Sequence, residues 1–103
     1  MAKTRDALKI LDHVTGDDGV LRQLIAEEAL NAKVARMIHE ARTKARLTQQ
    51  QLADLVGTKQ PVIARLEDAD YEGHSLGMLQ RIAAALHRRV EIRLVPQRRK
   101  HAA

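Results

Sequence analysis

Few of the side chains that can do acid–base or metal chemistry stand at the spacings that such chemistry needs. His39-Glu40 begins like the zinc-binding helix motif of metalloproteases, but Thr43 occupies the position where the second histidine ligand is required. Asp68–Gly73 begins like a calcium-binding loop, and Leu79 replaces the carboxylate expected at the twelfth position. The other histidines are isolated in the sequence, at positions 13, 74, 87 and 101. We therefore expect neither an enzyme nor a metal or cofactor site.

Charge is distributed unevenly and points to a polyanionic partner. The 103-residue chain has a formal net charge of +5. Residues 1–30 carry more acidic than basic groups, whereas basic groups are twice as numerous as acidic ones in the rest, with a cluster in Arg88–His101. Binding of Lys and Arg to phosphates releases condensed counterions, so a basic body of this kind favours a nucleic-acid partner. A well-solvated surface is the alternative that charge alone leaves open.

The composition favours closely packed helices. Tyr71 is the only aromatic residue, so the core must consist of Leu, Ile, Val, Met and Ala, whereas β-sandwiches depend on aromatic and β-branched side chains. The absence of cysteine excludes disulfides, Cys-ligated zinc and thiol nucleophiles. The longest apolar run, Ile82–Leu86, is too short to span a membrane, and the first residues lack the apolar stretch of a signal peptide. We expect one mainly α-helical domain, located in the cytoplasm.

Two apolar patterns with helical spacing occupy the first part of the chain. The first covers Lys3–Val14 and ends at Thr15–Gly19, where two glycines break it. The second begins at Val20. It either continues to Ala45 as one helix, or a new helix begins at Asn31, which is a good N-cap residue. The periodicity is the same in both cases and does not distinguish between them.

The next segment has clear helix boundaries. Thr48 followed three residues later by Gln51 is a capping-box pattern, which predicts a helix over Gln49–Val56. Gly57 is predicted to end this helix, because a glycine readily adopts the positive φ of a helix C-terminus. The inward side chains of the helix are predicted to be Leu52, Ala53 and Val56.

A second short helix follows directly. It is predicted to begin at Thr58 or Lys59, with Pro61 in the first turn, where a missing N–H costs little. Its inward side chains are predicted to be Val62, Ile63 and Leu66. Two helices this short are unstable alone and must pack on each other, which the small residues Ala53 and Gly57 permit at the crossing. This is the skeleton of a helix-turn-helix, in which the second helix is offered to the major groove of DNA.

Two further elements complete the predicted architecture. After a polar loop over Asp68–His74, Ser75 is predicted to cap another helix. The inward face of that helix is predicted to be Leu76, Leu79, Ile82, Ala83 and Leu86. The segment VEIRL, residues 90–94, alternates strictly between apolar and charged side chains before Pro96, which predicts one β-strand. Residues 97–103 are predicted to be a disordered basic tail.

Residues 47–68 resemble the helix-turn-helix of the XRE, or phage-repressor-like, family; their sequence is LTQQQLADLVGTKQPVIARLED. The resemblance depends on the positions of Ala53, Gly57, Ile63 and Leu66 and on the T-Q-Q opening. Together with the residues that follow, to about Pro96, the chain is similar to HigA-type antitoxins of bacterial type II toxin–antitoxin modules. The resemblance implies a dimeric DNA-binding protein that represses its own operon and neutralises a toxin.

The resemblance also implies which residues contact DNA. Gln49 and Gln50, at the start of the first short helix, would contact phosphate. Gln60 suits the base edge of adenine and Arg65 that of guanine, whereas Lys59 is expected to meet the backbone. The full set implied is Thr48, Gln49, Gln50, Thr58, Lys59, Gln60, Pro61, Ala64 and Arg65. Many relatives have longer polar side chains at the positions of Pro61 and Ala64, so few residues are left here for direct base reading.

The polar residues of this set also have a structural interpretation. Arg65 could pair with Asp54 or Asp68, and Gln49 and Gln50 could be solvated residues at a helix start. Duplex DNA is preferred as the partner because capped short helices, a glycine corner, a polar outward face and a basic body occur together.

A single strand in an otherwise helical chain has no second strand with which its backbone N–H and C=O groups can pair. The simplest partner is the same strand of a second copy, related by a two-fold axis. We therefore predict a homodimer that presents two helix-turn-helix units to a palindromic operator. Its dimerisation residues are predicted to be Arg89, Val90, Glu91, Ile92, Arg93, Leu94 and Val95.

The predicted organisation is a helical segment over 1–30, a DNA-binding domain over 31–87, a dimerisation strand over 88–96 and the tail. Acidic residues of the first segment could complement the basic, RNA-cutting toxin that the resemblance implies, although a helix that merely covers the domain is the alternative. These residues are Asp6, Asp12, Asp17, Asp18, Glu27 and Glu28. The hypothesis is an antitoxin and operon repressor that neutralises a HigB/RelE-like toxin. The alternatives are a stand-alone XRE-family regulator and a toxin-neutralising module without DNA binding.

Overall fold

The structure, a computed structural model, describes residues 18–97, which fold into four helices. These are α1 over Asp18–Lys44, α2 over Gln49–Val56, α3 over Gln60–Leu66 and α4 over Leu76–Ala85. The mainly α-helical fold class is thereby confirmed. The helix predicted over Lys3–Val14 lies outside the described residues, as does the tail beyond Gln97. Within the described part of the chain, no helix has the length and apolar run that crossing a bilayer requires.

Helix α1 is continuous over 27 residues and passes Asn31 without a break. Of the two interpretations of this pattern, the single long helix is therefore the right one. Its second half buries Ala35, Ile38 and Arg42 on one face, at the spacing of a helical stripe. None of the described side chains in its first half is buried, so α1 extends beyond the core that it helps to form.

The helix-turn-helix unit forms as its capping residues predict. The hydroxyl of Thr48 accepts a hydrogen bond from the backbone N–H of Gln51 at 3.0 Å, and the side-chain oxygen Oε1 of Gln51 accepts one from the backbone N–H of Thr48 at 2.8 Å. This reciprocal capping box begins α2 at the predicted residue. Gly57 ends α2 with φ +85°, in the left-handed region. Helix α3 begins slightly later than predicted, at Gln60, because Lys59 is its N-cap residue and still has extended backbone.

Left-handed backbone ends three of the helices in the described part of the chain. Arg46, Gly57 and His87 follow α1, α2 and α4 with φ of 61°, 85° and 59°. At the α2–α3 turn, the carbonyl of Ala53 accepts hydrogen bonds from two backbone N–H groups, those of Gly57 and Thr58, each at 2.9 Å. The turn between α2 and α3 is therefore short and fixed, so α3 crosses α2 at a defined angle.

The core lies between the second half of α1 and the three shorter helices. Leu52 of α2 and Ile63 of α3 are completely buried, and Ala53 is buried beside them, where a small side chain lets α2 and α3 approach closely. The whole cluster is Ile38, Leu52, Ala53, Val56, Ile63, Leu66, Ile82 and Leu86. Leu76 was predicted to belong to this core, and that prediction is wrong, since Leu76 is 57% exposed. It lies about 120° around α4 from Ile82, outside the buried stripe.

The chain after α4 forms neither helix nor strand over residues 88–97 of the single chain. Ile92, Leu94 and Val95 are 60%, 99% and 71% exposed there. This segment borders a largely apolar groove of about 620 Å³ that it forms together with α1 and α4. The predicted strand is not found in the described residues of the single chain, and its pairing with a second copy stays a prediction.

Candidate nucleic-acid interface

Helix α3 presents one face to the core and the other to solvent. Ile63 and Leu66 are buried against α2, whereas Lys59, Pro61 and Arg65 are exposed. The outward side of this helix is therefore free to meet a partner, as a helix that enters the major groove must be. Of the other predicted contact residues, Thr48 and Gln50 are exposed, and Gln49, Thr58, Gln60 and Ala64 are half-buried.

The first residues of α2 and α3 are linked through their side chains. The Nε2 group of Gln60 donates a hydrogen bond to Oε1 of Gln49 at 2.8 Å. Nε2 of Gln49 in turn donates to Oε1 of Glu67, the residue that ends α3, at 3.2 Å. Both the oxygen and the nitrogen of the Gln49 side-chain amide are therefore hydrogen-bonded within the protein. Gln49 is not the solvated helix-start residue that one alternative proposed.

These contacts leave each amide with the groups that DNA recognition needs. A glutamine amide has two N–H donors and a carbonyl oxygen with two lone pairs. Gln60 uses one N–H on Gln49 and keeps the other N–H and its oxygen, which is the pair that matches N7 and N6 of adenine. Gln49 keeps one side-chain N–H. Its backbone N–H lies in the first turn of α2, where no intrahelical partner exists, and both groups suit a phosphate oxygen.

A buried ion pair between Arg42 and Glu67 supports the contacts of Gln49 and Gln60. Nε of Arg42 lies 2.6 Å from Oε2 of Glu67, and Nη2 of Arg42 lies 3.0 Å from Oε1. Nη1 of Arg42 also donates to the carbonyl of Leu47 at 2.7 Å, in the loop that leads to α2. The side chains of Arg42 and Glu67 are 10% and 4% exposed. One guanidinium therefore ties together α1, the start of α2 and the end of α3.

The sequence predictions missed this pair, although one signal was present. Arg42 continues the buried stripe of α1, seven residues after Ala35 and four after Ile38. A charged residue in an apolar stripe requires a buried partner of opposite charge. Periodicity cannot say which acidic residue that is, because Glu67 is 25 positions away in sequence.

The pKa values of the pair are shifted in the directions expected of a mutual ion pair. Burial raises the pKa of Glu67, but hydrogen bonds from Arg42, His39 and Gln49 and the charge of Arg42 outweigh it, so the pKa ends below its ordinary value. The hydrogen bond to Glu67 raises the pKa of Arg42, against the opposing effect of burial. Both groups therefore stay charged near neutral pH.

The imidazole of His39 lies at the outer edge of this ion pair. Its Nδ1 is 3.0 Å from Oε1 of Glu67 and 3.2 Å from Nη2 of Arg42. The His39 side chain is 53% exposed, in contrast to the two residues that it touches. His39 therefore belongs to the same polar cluster as Arg42 and Glu67. Within the described residues, no three His, Asp or Glu side chains are grouped so that they could hold a metal ion.

Arg65 has no carboxylate partner among the described residues, so its predicted alternative role in a local ion pair is wrong. Asp54 instead accepts a hydrogen bond from Nε2 of Gln50 at 2.9 Å. Oδ1 of Asp68 accepts the backbone N–H of Asp70 at 2.9 Å, as in a local turn. The guanidinium of Arg65 thus remains available on the outward face of α3.

The loop after α3 holds the end of that helix in place. Nε2 of His74 lies 2.7 Å from the carbonyl oxygen of Leu66 and donates to it. The ring of Tyr71 meets His74 edge-on, with ring centres 5.0 Å apart. His74 was predicted to be a loop residue without a catalytic role, and in the structure it closes the C-terminus of α3.

Comparison with known families now adds an independent finding. A family described as a helix-turn-helix domain matches residues 22–95. Because the match extends over more than half of the chain, the protein belongs to this helix-turn-helix family. The family and the exposed α3 define the class as a DNA-binding regulator of XRE-like type. Comparison with curated proteins finds no match.

The Arg42–Glu67 pair should dominate the acid sensitivity of the fold. The folded-state pKa of Glu67 is lowered, so its contribution to the free energy of unfolding is complete above the ordinary carboxyl pKa of about 4.3. It is lost as the pH falls through the lower folded-state value. We expect Glu67→Gln to lower the free energy of unfolding at pH 7 by about 3 kcal/mol, because the charge of Arg42 is left buried without its partner.

Urea unfolding followed by circular dichroism between pH 3 and pH 7 measures this effect. Glu67→Gln should also flatten the loss of stability on acidification. Glu40→Gln, an exposed position on α1, is the control and should change neither quantity appreciably. An acid-induced loss in Glu67→Gln as steep as in the wild type would contradict the assignment.

Proposed function

We propose that this protein is a homodimeric, sequence-specific DNA-binding repressor and the antitoxin of a HigA-like toxin–antitoxin module. The observation that best supports specific DNA binding is the chain of contacts from Glu67 through Gln49 to Gln60. A base-reading amide that is oriented before binding loses little conformational entropy on contact with DNA.

In the proposed complex, α3 lies in the major groove. Gln60 reads an adenine, Arg65 reads a guanine, and the start of α2 contacts the phosphate backbone. Lys59 and Thr58, beside the start of α3, add backbone contacts. Occupation of the operator then excludes RNA polymerase, which gives repression. Pro61 and Ala64 offer only apolar surface, suited to a thymine methyl group.

Replacement of the two base-reading side chains should weaken specific DNA binding. We expect Gln60→Ala and Arg65→Ala each to lower affinity by about tenfold or more, since one bidentate base contact discriminates by about 1–3 kcal/mol. The probe is a duplex selected from a random pool by the wild-type protein, and the readout is fluorescence anisotropy over a range of salt concentrations. Affinity of the wild type should fall steeply with salt.

Arg22→Ala is the matched control for Arg65→Ala. It removes the same charge from an exposed position in the first half of α1, remote in sequence from α3. We expect a much smaller change in affinity and no change in the selected sequence. Equal losses for the two variants would mean that Arg65 acts only through net charge, and failure of the wild type to select any sequence would refute specific recognition.

The proposed dimer is supported by the apolar surface that the single chain leaves open at its C-terminal side. Ile92 and Leu94 are exposed on alternate positions of an unpaired segment beside an apolar groove. Pairing of two such segments about a two-fold axis would satisfy both backbones and cover these side chains. A dimer would also place two α3 helices for the two halves of a palindromic site.

We expect multi-angle light scattering to give the mass of a dimer at micromolar protein concentration. Leu94→Asp should shift the population toward monomer, because a charge would be buried in the interface. Leu94 is 99% exposed in the single chain, so the substitution leaves intrachain packing intact. Leu55→Asp, on exposed α2 surface, is the control and should remain dimeric. A monomeric wild type would remove the dimer from the proposal.

The proposed antitoxin role is supported by the resemblance to HigA-type proteins and by the surface of the first half of α1. Ile25 and Leu30 are 57% and 61% exposed, and Glu27 is exposed between them. Apolar anchors beside a carboxylate suit a basic protein partner. The HigB/RelE-like toxin would be the product of a neighbouring gene, and binding would mask its active site or block the path of its RNA substrate.

Ile25→Asp should abolish protection against that toxin without loss of operator binding. Co-expression with the adjacent reading frame, followed by growth measurement and co-purification, tests this expectation. Leu76→Asp is the matched control, since Leu76 is exposed to the same extent as Ile25 but lies on α4. Unchanged protection by Ile25→Asp would exclude this surface, and a gene neighbourhood without a toxin would favour a stand-alone regulator.

A further inference from the structure

Helix α1 ends in a Schellman motif whose left-handed position is occupied by an arginine. The N–H of Leu47 donates to the carbonyl oxygen of Arg42 at 3.2 Å. The N–H of Arg46 donates to the carbonyl oxygen of Thr43 at 2.9 Å, which completes the pair of hydrogen bonds that defines the motif. Arg46 has a φ of 61°, in the region where glycine is the usual residue because a Cβ atom is crowded. The backbone is therefore strained by the presence of the Arg46 side chain.

The other left-handed helix ends in the described part of the chain show why Arg46 is unusual. Gly57 ends α2 and has no Cβ atom, and His87 ends α4 through the same pair of backbone hydrogen bonds as Arg46. Histidine is enriched in the left-handed region, as asparagine and aspartate are, whereas arginine is not. A strained conformation of this kind is a reason to look for a function of the side chain that imposes it.

The fold itself does not use the Arg46 side chain within residues 18–97. Arg46 is exposed, and among those residues its guanidinium makes neither a hydrogen bond nor an ion pair. A cation at the end of α1 interacts favourably with the helix dipole, but Arg42 and Lys44 already place basic groups in the last turn. The guanidinium of Arg46 is therefore open to an anionic partner.

The loop that carries Arg46 is fixed against the start of α2. Nη1 of Arg42 donates to the carbonyl oxygen of Leu47 at 2.7 Å, and Thr48 forms the capping box that begins α2. Gln49, which is proposed to contact phosphate, follows Arg46 by three residues, so their Cα atoms lie at most about 11 Å apart. A DNA strand that meets the start of α2 therefore passes within reach of the long Arg46 side chain.

We propose that Arg46 is a further DNA-binding residue, which contacts a phosphate next to the one bound at the start of α2. A guanidinium suits this role, because its planar N–H groups match two phosphate oxygens and its charge releases condensed counterions. The contact carries no base information, so Arg46 adds affinity for every sequence alike. This inference rests on the proposed DNA binding, and Arg46 lies outside the set of contact residues that the family resemblance implies.

Arg46→Gly separates a contact with DNA from a role in the fold. Glycine relieves the strained backbone, so the midpoint of urea unfolding should equal or exceed that of the wild type. Affinity for the duplex selected by the wild type should fall about fivefold for each bound copy of the chain, as loss of one hydrogen-bonded contact predicts. The slope of log affinity against log salt should become shallower by about one for each copy, and a scrambled duplex should lose affinity by the same factor.

Two further variants control for backbone and charge in the same anisotropy titrations. His87→Gly relieves the same conformation in the same motif, at the end of α4, and should change neither affinity nor salt slope. Arg46→Lys keeps the charge and should keep most of the affinity and the slope, since lysine also binds phosphate.

Ethylation interference on the selected duplex locates the contact. One phosphate in each half-site that interferes with the wild type should cease to interfere with Arg46→Gly. Arg22→Ala removes the same charge from the first half of α1 and should keep the wild-type pattern.

Wild-type affinity in Arg46→Gly, or an unchanged interference pattern, would overturn the proposal and leave the proposed DNA binding intact. Loss of binding together with a lower unfolding midpoint would also overturn it, because Arg46 would then act through the fold. Equal losses in Arg46→Lys and Arg46→Gly would exclude a phosphate contact. If the wild type binds no duplex with salt-dependent affinity, the proposed function fails together with this role of Arg46.

Discussion

The buried pair of Arg42 and Glu67 is the interaction on which the rest of the structure depends. The guanidinium belongs to the longest helix, the carboxylate belongs to the residue that ends α3, and a third contact reaches the loop before α2. The apolar core alone could tolerate small rotations of these helices, because Leu, Ile and Ala contacts have little directionality. A two-pronged ion pair with fixed geometry removes that freedom.

This constraint explains how short helices can form a defined surface for the proposed contact with DNA. Helix α3 has seven residues and would not be stable alone. Its inward side is fixed by Ile63 and Leu66, its end by Glu67 and His74, and its start by the contact of Gln60 with Gln49. The backbone of α3, which carries the outward side chains, is therefore fixed in position, as a recognition site requires.

The described residues divide into a part whose apolar side chains are mostly buried and a part whose apolar side chains are exposed to solvent. Around α2 and α3 the core-facing apolar side chains are buried, and the side chains of Arg42, Gln49, Gln60 and Glu67 hydrogen-bond to one another. The first half of α1 and the segment after α4 instead expose Ile25, Leu30, Ile92 and Leu94. Exposed apolar surface of this extent is typical of chains that bind partners. The proposed homodimer and the proposed toxin complex would each cover one of these regions.

Local chemistry in the sequence determined the helix-turn-helix. The capping box of Thr48 and Gln51, the left-handed Gly57 and the Ser75 cap act over a few residues, so their outcome could be predicted and was confirmed. Only the tertiary structure decided that α1 continues past Asn31, that Leu76 faces solvent and that α3 begins at Gln60, because periodicity does not fix where a helix starts or which edge of its stripe meets a neighbour. The cluster of His39, Arg42, Gln49 and Glu67 was decided in the same way. Its members come from α1, from the first residue of α2 and from the residue that follows α3, and they meet only where the packing of those helices brings them together.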